Sequence, residues 1–251
     1  MDLTVERSAL RGAVDIPGSK SHTIRAVAIA ALADGESEIR SPLESADARA
    51  AFSAYRAFGA TITEEDNLWR VTGTGGAPRV PENVIDTANS GTTMNIALGT
   101  AALVKGGLVV LTGDAQVRRR PCGPLAQALN DLGASVRATR GGACPPYIVE
   151  GPIKGGTTTF EAMTSQYVTS LLLNGVLAEG DSTILVPLMY EKPYVTMTLD
   201  WLARQGVKVT YNEDYSEFHV PGGQRYLPVH RRIPGDFSSA TFFLCAGAFP
   251  D

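Results

Sequence analysis

Apolar runs of helical length recur along the chain, and each is closed by a glycine. IRAVAIAALADG ends at Gly35, MNIALGTAALVKG at Gly106 and VTSLLLNGVLAEG at Gly180. Such a glycine can cap a helix C-terminus, because it takes positive φ at little steric cost. The three lie 71 and 74 residues apart. After each comes a short β-like stretch (SEIR, LVVL, STILV), a loop, a second helical run, and then FGATI at 58–62, LGASV at 132–136 or QGVKV at 205–209. Gly59, Gly133 and Gly206 in these second marks are 74 and 73 residues apart. Two registers with nearly one period predict three copies of an α/β unit, each with two helices and several short strands. Stacking of the copies then buries the faces that one unit leaves open. DFSSATFFLCAGAF, at 236–249, repeats the opening of a first helix. The period predicts its closing glycine just past Asp251, so a fragmentary fourth unit is expected; the competing reading is the C-terminal helix of a complete three-unit protein.

The composition of the 251 residues, 44% hydrophobic and 19% charged, is that of a folded globular protein and excludes disorder or a long coiled coil. A formal charge of −4 gives no overall basic field for nucleic acid or an anionic membrane, so any anion must be met by a local cluster. Cys122, Cys144 and Cys245 form neither a disulfide framework nor a CxxC pair, which points to a reducing cytoplasm. MDLTVERSALRG lacks the basic start and apolar run of a signal peptide, and no apolar window reaches the length of a membrane span.

Small polar residues open the first helix of every unit: GSKSHT at 18–23, ANSGTT at 88–93, MTSQY at 163–167 and GDFSS at 235–239. Unpaired N–H groups and the positive dipole end make each a potential anion seat, and each taken alone is equally an ordinary N-cap. Lys20 and Arg25 flank the first of these starts about one turn apart, so both can reach one anion. RRRP at 118–121 concentrates three guanidinium groups, either for a phosphate or carboxylate or as a solvated charge run. Asp236 fits a capping aspartate or a base, and Tyr194 fits a hydroxyl donor or a packing residue. His22, His219 and His230 form no spaced metal set, and no metal is expected. GTGG at 73–76 does not open a dinucleotide-type helix, no GxxxxGK[ST] loop occurs, and no base is evident for Cys122.

Taken in order, PGSKSHTIRAVAIAALADG, ANSGTTMNIALGTAAL, LTGDAQVRRRPCGPLAQALNDLGASV, TSQYVTSLLLNGVLA, EKPYVTMTLDWL and GDFSSATFFL closely resemble successive motifs of the 5-enolpyruvylshikimate-3-phosphate (EPSP) synthase family, over essentially the whole chain. The sister family that acts on UDP-N-acetylglucosamine is similar but usually has asparagine after the first-motif lysine, where Ser21 stands. The resemblance implies an inside-out α/β barrel of repeated α/β units, the enolpyruvyl transferase fold. One complete three-repeat domain would span 14–226, with 1–13 and 227–251 as parts of a second. It implies a transferase that moves the enolpyruvyl group of phosphoenolpyruvate to the 5-hydroxyl of shikimate 3-phosphate, releasing phosphate, on the shikimate route to chorismate and aromatic amino acids. The expected protein is a cytoplasmic monomer with those two substrates as partners, needing no metal or cofactor, bound to neither nucleic acid nor membrane, and the target of glyphosate.

The same resemblance assigns residues. Lys20 would contact both ligands and, with Asp236 as acid/base, form the catalytic pair. Ser21, Arg25, Thr164, Ser165, Gln166, Tyr194 and Asp236 would join Lys20 on shikimate 3-phosphate. Gly91, Arg120 and Gln166 would join it on phosphoenolpyruvate. Two positions depart from the family pattern. Glu191 stands where a serine often contacts the ligand phosphate and is expected to repel it, and Asn95 replaces a common arginine. The cations that the family draws from a further C-terminal stretch are not in this sequence. A second class of function therefore stays open, a module that binds shikimate 3-phosphate without turning it over. A third is a repeat protein whose arginine run meets a protein or RNA.

Overall fold

The computed structural model describes residues 3–4 and 11–248. The first unit comprises α1 (Lys20–Leu32), β1 (Glu36–Arg40), α2 (Ala46–Ala57), β2 (Thr61–Glu65) and β3 (Leu68–Thr72). The second comprises β4 (Ile85–Asp86), α3 (Gly91–Ala101), β5 (Leu108–Thr112), α4 (Gly123–Asp131), β6 (Ser135–Ala138) and β7 (Tyr147–Glu150). The third comprises β8 (Gly156–Thr159), α5 (Ser165–Gly175), β9 (Ser182–Leu185), α6 (Lys192–Arg204), β10 (Thr210–Tyr211) and β11 (Glu217–Val220). Two further elements follow, β12 (His230–Arg232) and α7 (Phe237–Ala248).

Segments such as AVAIAAL in α1 are apolar on every side, so they have no face to turn to water and must lie inside. Accordingly α1, α3 and α5 are buried almost throughout, and α3 packs against both of the others. The sheets lie outside them. Their strands alternate buried and exposed positions, as in β1 and β5, so one face of each sheet covers the helices and the other meets solvent. This is the expected inside-out α/β arrangement of repeated units.

Each sheet has four strands in one pattern. An edge strand runs parallel to the strand after the first helix, and an antiparallel pair completes the sheet: β4-β5-β7-β6 in the second unit and β8-β9-β11-β10 in the third. The first unit has no preceding strand of its own among the described residues. β12 takes that place, parallel to β1 with Glu38 opposite His230 and Arg40 opposite Arg232. The buried Ser37 hydroxyl accepts from Val229 N at 2.9 Å beside it. β12 lies within 227–251, the stretch expected to belong to a second domain. The stretch 1–13, expected to be the other part of that second domain, lies largely outside the described residues. Apolar side chains of α7 (Phe237, Phe242, Phe243, Leu244) are exposed.

The two sets of repeated glycines have different roles. Gly59, Gly133 and Gly206 each follow a C-cap with φ of +101°, +96° and +69°. The next residue in each case returns its N–H to the carbonyl five back: Ala60 to Tyr55, Ala134 to Leu129, Val207 to Leu202. These are Schellman ends, built three times. Gly35, Gly106 and Gly180 are not helix caps. The helices before them stop earlier, at Leu32, Ala101 and Gly175, and these glycines instead lead the chain into the next strand. Gly180 is required by crowding, since a Cβ there would lie 2.7 Å from the carbonyl oxygen of Lys154.

A buried polar chain locks the helices in register. Tyr55 of α2 shares a 2.9 Å hydrogen bond with Thr100 of α3, and Thr100 Oγ1 donates to Asn174 Oδ1 of α5 at 2.8 Å. Asn174 Nδ2 donates to the carbonyls of Ile96 and Ser170, and Ser170 Oγ donates to the carbonyl of Asn95 at 2.7 Å. Such groups are costly to leave unpaired. The helices approach closely at Gly99, where a Cβ would lie 2.5 Å from both Ser170 Oγ and Asn174 Nδ2. Gly99→Ala gains about 1 kcal/mol in helix propensity, but displaces both groups; a net loss of about 2 kcal/mol is expected in denaturant unfolding. A variant as stable as the parent would show that α3 and α5 are not in contact there.

Candidate functional site

The starts of five helices meet at one end of the molecule. Lys20 Nζ of α1 lies 3.9 Å from Asp47 Oδ2 of α2, and the Asp47 carbonyl accepts from Thr93 Oγ1 of α3 at 3.2 Å. Asn95 Nδ2 of α3 donates to Gln166 Oε1 of α5 at 2.8 Å, and Arg25 joins α1 to α5 and α6. The first turns of α1, α3 and α5 hold no acidic residue of their own, so three positive dipole ends face one region. The exposed Lys20–Asp47 pair is worth little to stability and serves to orient the ammonium group.

Arg25 is the most constrained cation, only 2% exposed. Its Nε donates to Thr198 Oγ1 (2.9 Å), Nη1 to the Ser21 carbonyl (3.0 Å), and Nη2 to Thr169 Oγ1 (3.0 Å) and the Tyr194 carbonyl (3.1 Å). All four partners are neutral oxygens, and among the described residues no carboxylate pairs with it. Burial lowers its pKa to about 10, still far above neutrality, so the guanidinium remains charged. A buried, unpaired charge of this kind favours an anion close by. Ser21 is half-buried in the same turn, and the Tyr194 side chain is 39% exposed on α6.

A second cation faces the start of α3. Of the three arginines, Arg118 bonds back to the Gly113 carbonyl, Arg119 and Arg120 are both exposed, and Arg120 reaches Gly91. A Cβ at Gly91 would lie 3.1 Å from Arg120 Nη1 and 4.0 Å from Gln166 Oε1, so glycine there keeps this space open. Arg120, Gly91, Gln166, Asn95, Thr164 and Cys122 line a recess of about 200 Å³. Its supports are specific. Asp114 Oδ1 accepts from the N–H groups of Gln116 and Val117, both at 2.9 Å, and Asn89 Nδ2 donates to Oδ2 at 2.6 Å. Tyr167 of α5 donates to the Pro121 carbonyl at 2.7 Å, fixing the far end of the turn. Burial pushes the Cys122 thiol up to about 12, so it stays protonated and packs. Asn95 Oδ1 is buried with no partner among the described residues.

At the start of α5, Thr164 is the N-cap and Ser165 is 2% exposed. Both turn to Glu191, whose Oε2 accepts from Thr164 Oγ1 (3.1 Å), Ser165 N (3.2 Å) and Ser165 Oγ (3.1 Å). Glu191, expected from the sequence to repel a ligand phosphate, is held by the very donors expected to meet that phosphate.

Asp236 reaches the same end through the backbone. Gly235 forms an antiparallel bridge with Gly18, Ser19 N donates to the Pro234 carbonyl at 2.8 Å, and Asp236 N to the Pro17 carbonyl at 2.9 Å. Residue 236 therefore lies alongside the start of α1. Its carboxylate Oδ2 accepts from Ser239 N and Oγ, both at 2.9 Å, which is the capping role weighed from sequence. His22 lies nearby, accepting from Trp201 Nε1 at Nδ1 (3.1 Å), and burial lowers its pKa, so it is neutral at pH 7.

The arrangement places two cationic groups at one end: Arg25 bonded between α1, α5 and α6, and Arg120 against the start of α3. Gln166 stands between them through Asn95 and Gly91. Sequence reasoning missed Asp47, Asp114, Thr169, Thr198 and Trp201, all of which position a cation or its neighbour. No local pattern marks them, since each acts on a residue brought close only by folding.

The family model described as EPSP synthase (3-phosphoshikimate 1-carboxyvinyltransferase) matches residues 5–251. The 3-phosphoshikimate 1-carboxyvinyltransferase of Acetivibrio thermocellus is 51% identical over 248 residues, 99% of this chain and 58% of that protein. The one of Halobacterium salinarum is 45% identical over 252 residues, 99% of this chain and 58% of that protein. A solved structure of EPSP synthase from Acinetobacter baumannii superposes with a TM-score of 0.82 at 28% identity, over 93% of this chain and 52% of that one. The chain spans a little over half the length of the curated relatives it matches. No helix of the described residues is long and apolar enough to cross a membrane.

The arginine turn yields a pH prediction. The N–H groups of Val117 and Gln116 with Asn89 hold the Asp114 carboxyl below the ordinary aspartate range. A lowered folded-state pKa stabilises above the unfolded value, about 3.9, and the effect is lost as pH falls through the folded value. The protection factor of the Val117 amide, its exchange relative to the intrinsic rate at each pH, is thus expected to hold at pH 5 and to fall only below the usual carboxylate range, while Asp114→Ala lowers it at both. Protection unaffected by the substitution would mean that other contacts hold the turn.

Proposed function

From the premise that the chain belongs to the EPSP synthase family, we propose that it carries one wall of a site that transfers the enolpyruvyl group of phosphoenolpyruvate to the 5-hydroxyl of shikimate 3-phosphate. The observation that carries this reading is the pair of adjoining anion positions at the converging helix starts, one beside buried Arg25 and one beside Arg120. Two substrates that are both polyanions need such a pair. Helix dipoles and fixed guanidinium groups offset the repulsion of bringing them together.

In this reading shikimate 3-phosphate lies against Lys20, Ser21, Arg25, Thr164, Ser165, Gln166 and Tyr194, and phosphoenolpyruvate against Lys20, Gly91, Arg120 and Gln166. The 5-hydroxyl oxygen bonds to C2 of phosphoenolpyruvate and gives up its proton while C3 gains one, forming a tetrahedral adduct. Loss of a C3 proton and of phosphate then restores the double bond on the product. Asp236 is the proposed proton acceptor for the hydroxyl. Its carboxylate also caps α7, and the cap fixes its orientation beside α1. Orientation of the carboxylate toward the hydroxyl is a large part of its proposed contribution.

Calorimetric titration of the 251-residue chain with shikimate 3-phosphate and then phosphoenolpyruvate, followed by an assay for released phosphate, tests the reading. Shikimate 3-phosphate is expected to bind. Where the partner wall is absent, binding without release is the outcome of a half-site, and it separates a binding module from a transferase. Arg120→Ala should weaken phosphoenolpyruvate by about ten-fold or more, as expected for loss of a charge-assisted contact, and leave shikimate 3-phosphate nearly unchanged. Absence of shikimate 3-phosphate binding, or equal weakening of both ligands, would contradict it.

A further inference from the structure

The donors at the start of α5 are already occupied. Ser165 is 2% exposed, so its N–H and hydroxyl require an acceptor on the spot, and Glu191 Oε2 supplies it for both and for Thr164 Oγ1. A carboxylate in this position also meets the positive end of the α5 dipole. It comes from an exposed residue just ahead of α6, with backbone at φ 59°, ψ 38°, a left-handed conformation uncommon for glutamate, and its side chain does not cap its own helix. The side chain is therefore free to rotate toward solvent if something else satisfies Ser165.

We propose that Glu191 is an intramolecular stand-in for the ligand's anion: it fills the α5 seat in the empty protein and must swing out before a phosphate group can enter. The inference rests on the reading of this seat as the place of a phosphorylated ligand. One N–H and two hydroxyls cannot serve a carboxylate and a phosphate together, because the two anions would repel at hydrogen-bonding distance. The tethered carboxylate acts as a competitor at high effective concentration. Every phosphate ligand is weakened by one common factor. Only a ligand that also gains contacts elsewhere, at Lys20, Arg25 or Tyr194, overcomes that competition at low concentration, whereas a lone phosphate ion does not. Glu191 thereby sets the threshold for occupancy.

The test is titration of the chain and of its Glu191→Ser and Glu191→Gln variants with inorganic phosphate, shikimate 3-phosphate and unphosphorylated shikimate. The glutamine variant keeps an oxygen acceptor for Ser165 while removing the charge, so it covers the case in which the serine variant folds poorly. Both phosphate-bearing probes are expected to bind the variants about ten-fold tighter or more, the scale of one charged hydrogen-bonded contact, by similar factors, with shikimate unchanged. Phosphate affinity that is equal or lower in both variants overturns the stand-in role. Phosphate affinity that rises while shikimate 3-phosphate binds no better than inorganic phosphate keeps the stand-in and rejects the ligand reading instead.

Discussion

The buried guanidinium of Arg25 is the constraint on which the site depends. An ion removed from water without an opposite charge is expensive, and here four neutral oxygens from α1, α5 and α6 surround it. Those bonds fix the relative position of three helix starts. They also leave a positive charge in a water-poor place, which an entering anion relieves. Stability and function pull in opposite directions at this residue, as they commonly do where a site is built into a core.

The repeat explains why such a site exists at this end. Each unit sends an apolar helix through the interior, and a short edge strand leads into both α3 and α5. Repetition places the starts of α1, α3 and α5 together, so their dipoles add in one region. Differences between the units then set the chemistry. The first supplies Lys20 and Arg25, the second leaves room at Gly91 for Arg120, and the third offers Thr164, Ser165 and Gln166. The architecture alone would be a stack of similar units, and the site lies in what each unit adds.

Much of this was legible because it recurs. The 73-residue spacing, the buried helices and the Schellman glycines Gly59, Gly133 and Gly206 each leave a periodic mark in the sequence. Gly35, Gly106 and Gly180 were misread as caps because a glycine three to five residues past a helix looks the same in sequence as one at its end. β12 falls within 227–251, where the resemblance led to a crossover strand, but its partner was not legible, because its pairing with β1 joins residues almost two hundred positions apart. The family resemblance singled out Arg120 of RRRP, whereas the residues alone did not, since its direction depends on the Asp114-bound turn. Glu191 was judged by its charge alone. Its contact with Ser165, 26 residues away, emerges only once α5 and α6 are packed.

The central claim, that Arg25 is held at a cost to the fold in order to attract an anion, is tested most directly by thermal unfolding of Arg25→Met with and without shikimate 3-phosphate. Thr198 keeps its bond to the Tyr194 carbonyl and its contact with Thr169, so the acceptors around the lost guanidinium are not stranded. The account predicts a variant at least as stable as the parent without ligand, whose melting temperature no longer responds to shikimate 3-phosphate while that of the parent rises. A variant that is much less stable, or that still responds to the ligand as the parent does, would contradict it.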